Sequence, residues 1–229
     1  MFWQEDEDKT LPYQAPDDIL DLSFSIQCKR LPLDHAWALS QAIRSALPWF
    51  HEESATGIHT IHVAESGNGW LRPDDAEHQM LLPSRRTRMA LRIPKQRLAD
   101  TQKLTGKTLD IDGYPLTVGD AKEKPLLNAA VIFARYVLSD AEEQEPDFLQ
   151  RMAKEIHTTT DVKVKKMMCG KSNAINTPDG VLFTRHLMVA DLDSAPSIRL
   201  QQYGLGGGRK LGCGLFLPHK SIKTLKPTE

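Results

Sequence analysis

The sequence has little cysteine and lacks any long hydrophobic run. Its three cysteines, Cys28, Cys169 and Cys213, are far apart, and no two of them form a Cys-x-x-Cys pair. This spacing argues against a disulfide framework and against a zinc ribbon. No stretch approaches the roughly 18 apolar residues that a membrane span requires, and the acidic start differs from a secretory signal. We therefore expect a soluble, cytoplasmic protein with no metal site, no cofactor and no membrane partner.

Net charge is also nearly absent, at −1 over 229 residues, which argues against a uniformly basic nucleic-acid binder. The charges are distributed unevenly, however. Residues 79–109 carry eight basic side chains and a single acidic one. In residues 1–20, by contrast, most of the charged side chains are acidic. Such asymmetry predicts a one-sided electrostatic field, which suits a polyanionic partner.

Hydrophobic periodicity predicts the order strand, helix, strand, strand, helix, strand in each half of the chain. In the first half the strands are predicted at 19–28, 57–66, 86–94 and 108–120, with one helix capped by Asp34 and another at 95–106. This order is the ferredoxin-like plan. We therefore predict an α+β fold of two tandem ferredoxin-like units with a C-terminal glycine-rich loop. The predicted boundaries are a flexible acidic arm at 1–18, a first domain at 19–125, and a second domain at 126–229 with the loop at 204–214.

The segment QQYGLGGGRKLGCGLFLP, at residues 201–218, contains six glycines and one basic pair. Backbone N–H groups that no side chain covers can cradle phosphate, and a basic pair at the tip would add charge. A flexible turn between a helix and a strand is the alternative interpretation. A Walker loop is excluded because the GK[ST] ending is missing. The candidate phosphate contacts are Gly204, Gly206, Gly207, Gly208, Arg209, Lys210, Gly212 and Gly214.

Two Gly-hydrophobic-Gly units around a short basic insert resemble the C-terminal motif of the repeat-associated mysterious proteins (the RAMP superfamily) of CRISPR systems. The likeness is strongest to the Cas-six group of endoribonucleases. The segments LPLDHAWALSQAI, IHTIHVAESGNGW and SRRTRMALRIP resemble one variant of that group, so the resemblance covers roughly residues 20–218.

The resemblance implies that the chain binds CRISPR repeat RNA and cleaves precursor crRNA without a metal. The RNA 2′-hydroxyl would attack the adjacent phosphate and leave a 2′,3′-cyclic phosphate and a 5′-hydroxyl. Other Cas proteins of an effector complex are further expected partners. Two alternatives stay open: a RAMP-type subunit that holds crRNA without cutting it, and an unrelated metabolic enzyme whose glycine loop binds a nucleotide.

Cleavage of this kind needs a proton acceptor, and histidine is the natural one near neutral pH. His35 is the first candidate, because relatives commonly place a catalytic histidine near this helix and the helix N-terminus would keep the ring neutral. A histidine that only bonds locally is the alternative. His51, just beyond the helix, is the second candidate. His59 and His62 are three apart, which on a strand places them on opposite faces, so we expect no shared zinc.

Basic side chains supply the remaining candidate RNA contacts. Arg85, Arg86 and Arg88 precede a predicted strand and could bind phosphate bidentately, although a solvated strand end is the alternative. Lys163 and Lys165 alternate with valines, which predicts one face of a strand. That face is either a polar outer surface or the wall of a groove.

Overall fold

The protein is built from two antiparallel sheets with helices packed against them. The computed structural model describes residues 16–63 and 80–219. The elements of the first half are β1 (Ile19–Gln27), β2 (Leu31–Pro32), α1 (Ala36–Ala46), α2 (Trp49–Glu52), β3 (Gly57–His59), β4 (Met80–Leu81), β5 (Arg88–Pro94), α3 (Leu98–Gln102), β6 (Thr108–Ile111) and β7 (Tyr114–Pro125). Those of the second half are β8 (Val131–Ser139), α4 (Glu145–Thr160), β9 (Lys166–Thr177), β10 (Gly180–Ala190), α5 (Ser194–Tyr203) and β11 (Phe216–Pro218).

The first sheet has the strand order β3-β5-β1-β7-β6, with β1 at its centre. Alternate residues of β1 face the helices, and Leu22 and Phe24 are fully buried in the first core, together with Leu39 of α1. The intervening residues Asp21 and Ser23 are also buried. Because successive side chains of a strand point to opposite faces, β1 is covered on both faces of the sheet.

The second sheet has the order β11-β8-β10-β9. Ile132 and Ala134 of β8 pack in a separate core with Phe148 and Met152 of α4. Helix α5 is buried between the two halves, where its Ile198 clusters with Ile19 and Leu126. Each half therefore has a core of its own, and α5 joins them.

Several predicted elements differ from the structure at their ends. Asp34 does not cap α1, which begins after His35, because the Asp34 carboxylate instead accepts hydrogen bonds from the backbone and side chain of Asn176. The last strand covers only Phe216–Pro218 of the 211–218 segment that its apolar residues predict, since Arg209–Leu211 forms a 3₁₀ turn. The predicted acidic arm lies outside the described residues except for 16–18, as do residues 64–66 of a predicted strand. In the described part of the chain, no helix is long and apolar enough to cross a membrane.

Candidate nucleic-acid interface

A groove with a basic lining runs between the two sheets and encloses about 400 Å³. The first half contributes Arg86, Arg88 and Lys124 to its walls, and the second half contributes Arg135. Gly212 of the glycine-rich segment also lines it. Four cationic side chains from both halves therefore converge on one concave surface, the geometry that a polyanion requires.

The floor of the groove holds a buried ionic network centred on Asp21. Arg92, which is fully buried, donates from Nε and Nη2 to the two carboxylate oxygens of Asp21, each at 2.9 Å. His59 Nε2 lies 3.2 Å from Asp21 Oδ1. Burial opposes the charge on Asp21, but Arg92 and His59 outweigh it and hold the carboxyl pKa far below its usual value. Arg92 also donates to the Gln201 carbonyl of α5, so the network connects the two halves.

The turn before β5 orients the arginines that the sequence singled out. The Ser84 N–H donates to Thr87 Oγ1 at 2.9 Å, and the Arg86 N–H donates to Ser84 Oγ at 3.2 Å. Arg88 Nη1 donates to the Arg85 carbonyl at 2.8 Å. Arg86 and Arg88 reach the groove, whereas Arg85 is exposed and does not line it.

His35 is locked inside the protein, in a geometry that does not suit a general base. Its Nδ1 lies 2.9 Å from the Pro32 carbonyl, and its Nε2 accepts the Ile61 N–H at 2.9 Å. These partners fix the neutral ring with its proton on Nδ1 and leave no free lone pair. The ring is 3 % exposed, and burial lowers its pKa. The local-bonding alternative therefore describes the geometry of His35 better than the catalytic prediction does.

His51, on α2, is half-buried and has a different environment. Its Nε2 lies 3.1 Å from the hydroxyl of Ser40 on α1, and its buried Nδ1 has no hydrogen-bond partner within residues 16–63 and 80–219. Burial, followed by the nearby charges of Lys210 and Arg44, lowers the pKa of the imidazole. The lowered pKa favours the neutral ring, which lies near cations but is not part of the groove lining.

The basic pair of the glycine-rich segment points inward, so the prediction of an exposed charged tip is wrong. The Arg209 guanidinium donates to the backbone carbonyls of Ala55, Thr56, Gln202 and Tyr203. Lys210 donates to the carbonyl of Glu53 and to the carbonyl and hydroxyl of Thr56, and lies over the Phe50 ring. Burial lowers the pKa of Arg209 to about 10 and that of Lys210 to about 8. The pair thus fastens the segment to the first half of the chain.

The glycines mainly allow backbone segments to pack together. Gly214 has a φ of +66°, and a Cβ there would lie 2.0 Å from the Leu205 carbonyl oxygen. A Cβ on Gly204 would lie 2.3 Å from the Gly214 carbonyl oxygen. The Gly206 N–H donates to the Glu155 carboxylate. At Gly204 and Gly214, the absence of a side chain therefore lets two segments of the same chain pack closely. Gly212 is the glycine that reaches the groove.

Lys163 and Lys165 do not lie on a strand, because β9 begins only at Lys166. Both are exposed, and neither lines the groove.

Sequence reasoning missed Lys124, Arg135 and Arg44, and it also missed the Asp21–Arg92 pair. Only Asp21 carried a local signal, as an acid within the apolar pattern of β1, whereas the others depend on the pairing of distant strands.

Among the residues that the structure describes, no three His, Cys, Asp or Glu side chains form a group suited to a metal ion.

Comparisons with known proteins cover both halves of the chain. Residues 20–221 match the model of the Cas6 family, described as "Cas6 Crispr". A protein from Myxococcus xanthus named CRISPR-associated endonuclease Cas6 is 29% identical over 199 residues, which cover 87% of this chain and 81% of that protein.

Solved structures show the same mixed α/β fold at low identity. A Cas6-related protein from Pyrococcus furiosus superposes with a TM-score of 0.60 and 12% identity, over 88% of this chain and 99% of that one. A structure described as an RAMP protein binding different RNA substrates has a TM-score of 0.59 and 13% identity, over 86% of this chain and 98% of that one. Since the family match spans both sheets and the glycine-rich segment, the chain belongs to the Cas6 family.

Proposed function

We propose that the protein is a CRISPR endoribonuclease that binds repeat RNA and cuts precursor crRNA into guides. The family match over residues 20–221 carries this proposal. It is supported by the Myxococcus relative, which is named an endonuclease, and by the basic groove between the sheets. Incubation with the cognate repeat RNA and analysis of the product ends is the direct test. RNA that is bound but left intact would favour the non-cutting crRNA-binding subunit.

We assign both halves to the ferredoxin-like plan. The first half runs β1-α1-β3-β5-α3-β7 with the sheet order β3-β5-β1-β7, and the second runs β8-α4-β9-β10-α5-β11 with the order β9-β10-β8-β11. In both, the first strand lies between the third and fourth, and every pairing is antiparallel. The groove lies between these two units, so the RNA would contact both.

The groove is the proposed path of the RNA backbone. Arginine guanidinium groups can bind phosphate oxygens in pairs, and Arg86 and Arg88 are held at the groove by the Ser84–Thr87 turn. Lys124 of the first half and Arg135 of the second half would neutralise further phosphates. Binding that depends on such contacts releases counterions and weakens as salt rises.

We expect the double variant Arg86→Ala/Arg88→Ala to bind repeat RNA more weakly and with a smaller salt slope, lower by about two units for two lost phosphate contacts. The matched control is Lys163→Ala/Lys165→Ala, which removes the same charge from an exposed loop outside the groove. Anisotropy titrations at several salt concentrations measure both. Equal slopes in the two double variants would contradict the proposed path.

His51 is the proposed base. Its Nε2 would take the proton from the RNA 2′-hydroxyl, because Nδ1 is buried. The resulting oxygen would attack the adjacent phosphorus while the 5′-oxygen leaves and takes up a proton from water. Arg44, exposed on α1, would stabilise the charge that develops on the phosphate. Nε2 lies 3.1 Å from the Ser40 hydroxyl and would exchange that contact for the RNA 2′-hydroxyl. His35 has the separate role of joining the β2–α1 connection to the backbone at Ile61.

The pH profile of cleavage should report the depressed pKa of His51. A base acts when it is unprotonated, so the rate should rise with pH through a midpoint below 6.5 and then stay level through neutral pH. Single-turnover rates between pH 5 and 8 measure this, and His51→Ala should lose the rising limb. A wild-type midpoint above 7 would contradict His51 as the base.

The reaction should proceed without a divalent metal, because a histidine and nearby cations can supply proton transfer and charge stabilisation. We expect the same single-turnover rate in EDTA and in magnesium, and a product that ends in a 2′,3′-cyclic phosphate. Ionic strength must be matched, since magnesium also weakens phosphate contacts. A rate that requires added metal would rule out this mechanism.

A further inference from the structure

The open face of the second sheet carries an aromatic pocket that adjoins the groove. Cross-strand pairing places Leu217, Phe133, Met188 and Met168 in one row across β11, β8, β10 and β9. Their neighbours in the next row, such as Phe216 and Ala134, are buried against the helices. The row therefore lies on the face away from the second core, and its Met168 is 59% exposed.

Two imidazoles border the Phe133 ring in this pocket, which has a volume of about 340 Å³. His186 lies 6.2 Å from Phe133 between ring centroids, at 70°, and His219 lies 5.9 Å away, at 83°. Burial, together with Arg135 and Lys171, lowers the pKa of His186. Aromatic rings set at steep angles provide both a face for stacking and an edge with hydrogen-bonding nitrogens.

Arg135 connects this pocket to the groove. It lines both cavities, and its guanidinium carbon lies 5.1 Å from the centroid of the Phe133 ring. Its Nε atom is buried and has no hydrogen-bond partner among the described residues. A cation that lines both cavities favours an anionic or polar ligand that passes from one cavity into the other.

We propose that this pocket binds one unpaired nucleobase of the RNA whose backbone occupies the groove. The base would stack against Phe133 and the adjacent imidazoles, while Arg135 holds the neighbouring phosphate. Open sheet faces with aromatic side chains bind single-stranded RNA in this way, and stacking tolerates any base. The inference rests on the proposed RNA-binding function but adds a site outside the groove and away from His51.

The test compares two short probes of equal length, an oligoadenylate and a ribose-phosphate strand without bases. Phe133→Leu and His186→Ala should each weaken oligoadenylate binding about 5-fold or more, the lower end of the range for one stacked base. Neither should alter binding of the baseless strand, whose contacts are electrostatic. Phe183→Leu, at an exposed position of the same strand as His186 and outside the pocket, is the matched control and should change nothing.

Unchanged oligoadenylate binding in both pocket variants, with wild type still cutting repeat RNA, would overturn the pocket and leave the proposed function standing. A wild type that binds neither probe and leaves repeat RNA intact would overturn both. Equal losses for the two probes would also overturn the pocket, since they would indicate an electrostatic or structural effect.

Discussion

Replacing His51 with alanine should slow cleavage of repeat RNA by about 10²-fold or more while leaving RNA affinity nearly unchanged. That factor is the usual contribution of one positioned acid or base. His51 is half-buried on α2, and the Ser40 hydroxyl is the hydrogen-bond partner of its ring among the described residues. Single-turnover cleavage at saturating protein measures the rate, and anisotropy measures the affinity. A 2′-deoxy nucleotide at the cleavage site should abolish the reaction in wild type, because the nucleophile is then absent.

His35→Ala is the informative comparison, because the two histidines are expected to fail in different ways. Removing the His35 ring leaves the Ile61 N–H and the Pro32 carbonyl without their partner, at a cost of about 1–3 kcal/mol for each buried group left unsatisfied. Its unfolding midpoint should therefore fall, while the rate per folded molecule stays near wild type. If His35→Ala is stable but inactive and His51→Ala cuts normally, the base is His35 after all.

Arg92→Met should destabilise the protein by about 3–5 kcal/mol, the range for breaking a buried ion pair by removing one partner. Asp21 would keep a desolvated carboxylate with only His59 beside it, and the Gln201 carbonyl would lose a donor from the other half of the molecule. Urea unfolding measures the loss. The full loss is expected at neutral pH, because the depressed pKa of Asp21 keeps its carboxylate charged there.

Two further variants separate this network from a general effect of charge removal. Lys103→Met breaks an exposed pair with Asp100 and should cost less than about 1 kcal/mol. The double variant Asp21→Leu/Arg92→Met removes both buried charges and should be more stable than Arg92→Met alone. A loss of under 1 kcal/mol in Arg92→Met would show that the pair contributes little to holding the halves together.

Much of the element order is visible in the sequence because it depends on local periodicity. The strand predicted at 19–28 and the helix predicted after Asp34 are both present, as β1 and α1. Ends were harder to place wherever a side chain has a distant partner. Aspartate is a residue type that commonly caps helices, yet the Asp34 carboxylate accepts a hydrogen bond from Asn176, which is 142 residues away.

The candidate site was harder to predict than the fold. Arg86 and Arg88 could be proposed because basic residues cluster locally, and both reach the groove. Arg209 and Lys210 look equally basic in the sequence, yet their charges are directed at backbone carbonyls of residues 53–56 and 202–203. Direction cannot be deduced from composition, because it depends on which segment packs beneath the side chain.

The sequence by itself determined the Cas-six resemblance, the repeated order of strands and helices, and the short list of histidines and cations. These depend on residue type and on spacing over a few positions. Only the tertiary structure decided which members of that list face the groove and which are enclosed. The Ile61 N–H occupies Nε2 of His35 but not Nε2 of His51. Asp21 stabilises the fold only because Arg92, 71 residues away in the sequence, lies beside it. Such pairings arise when β1, β5 and α5 pack together, and the free energy of burying each polar group depends on that packing.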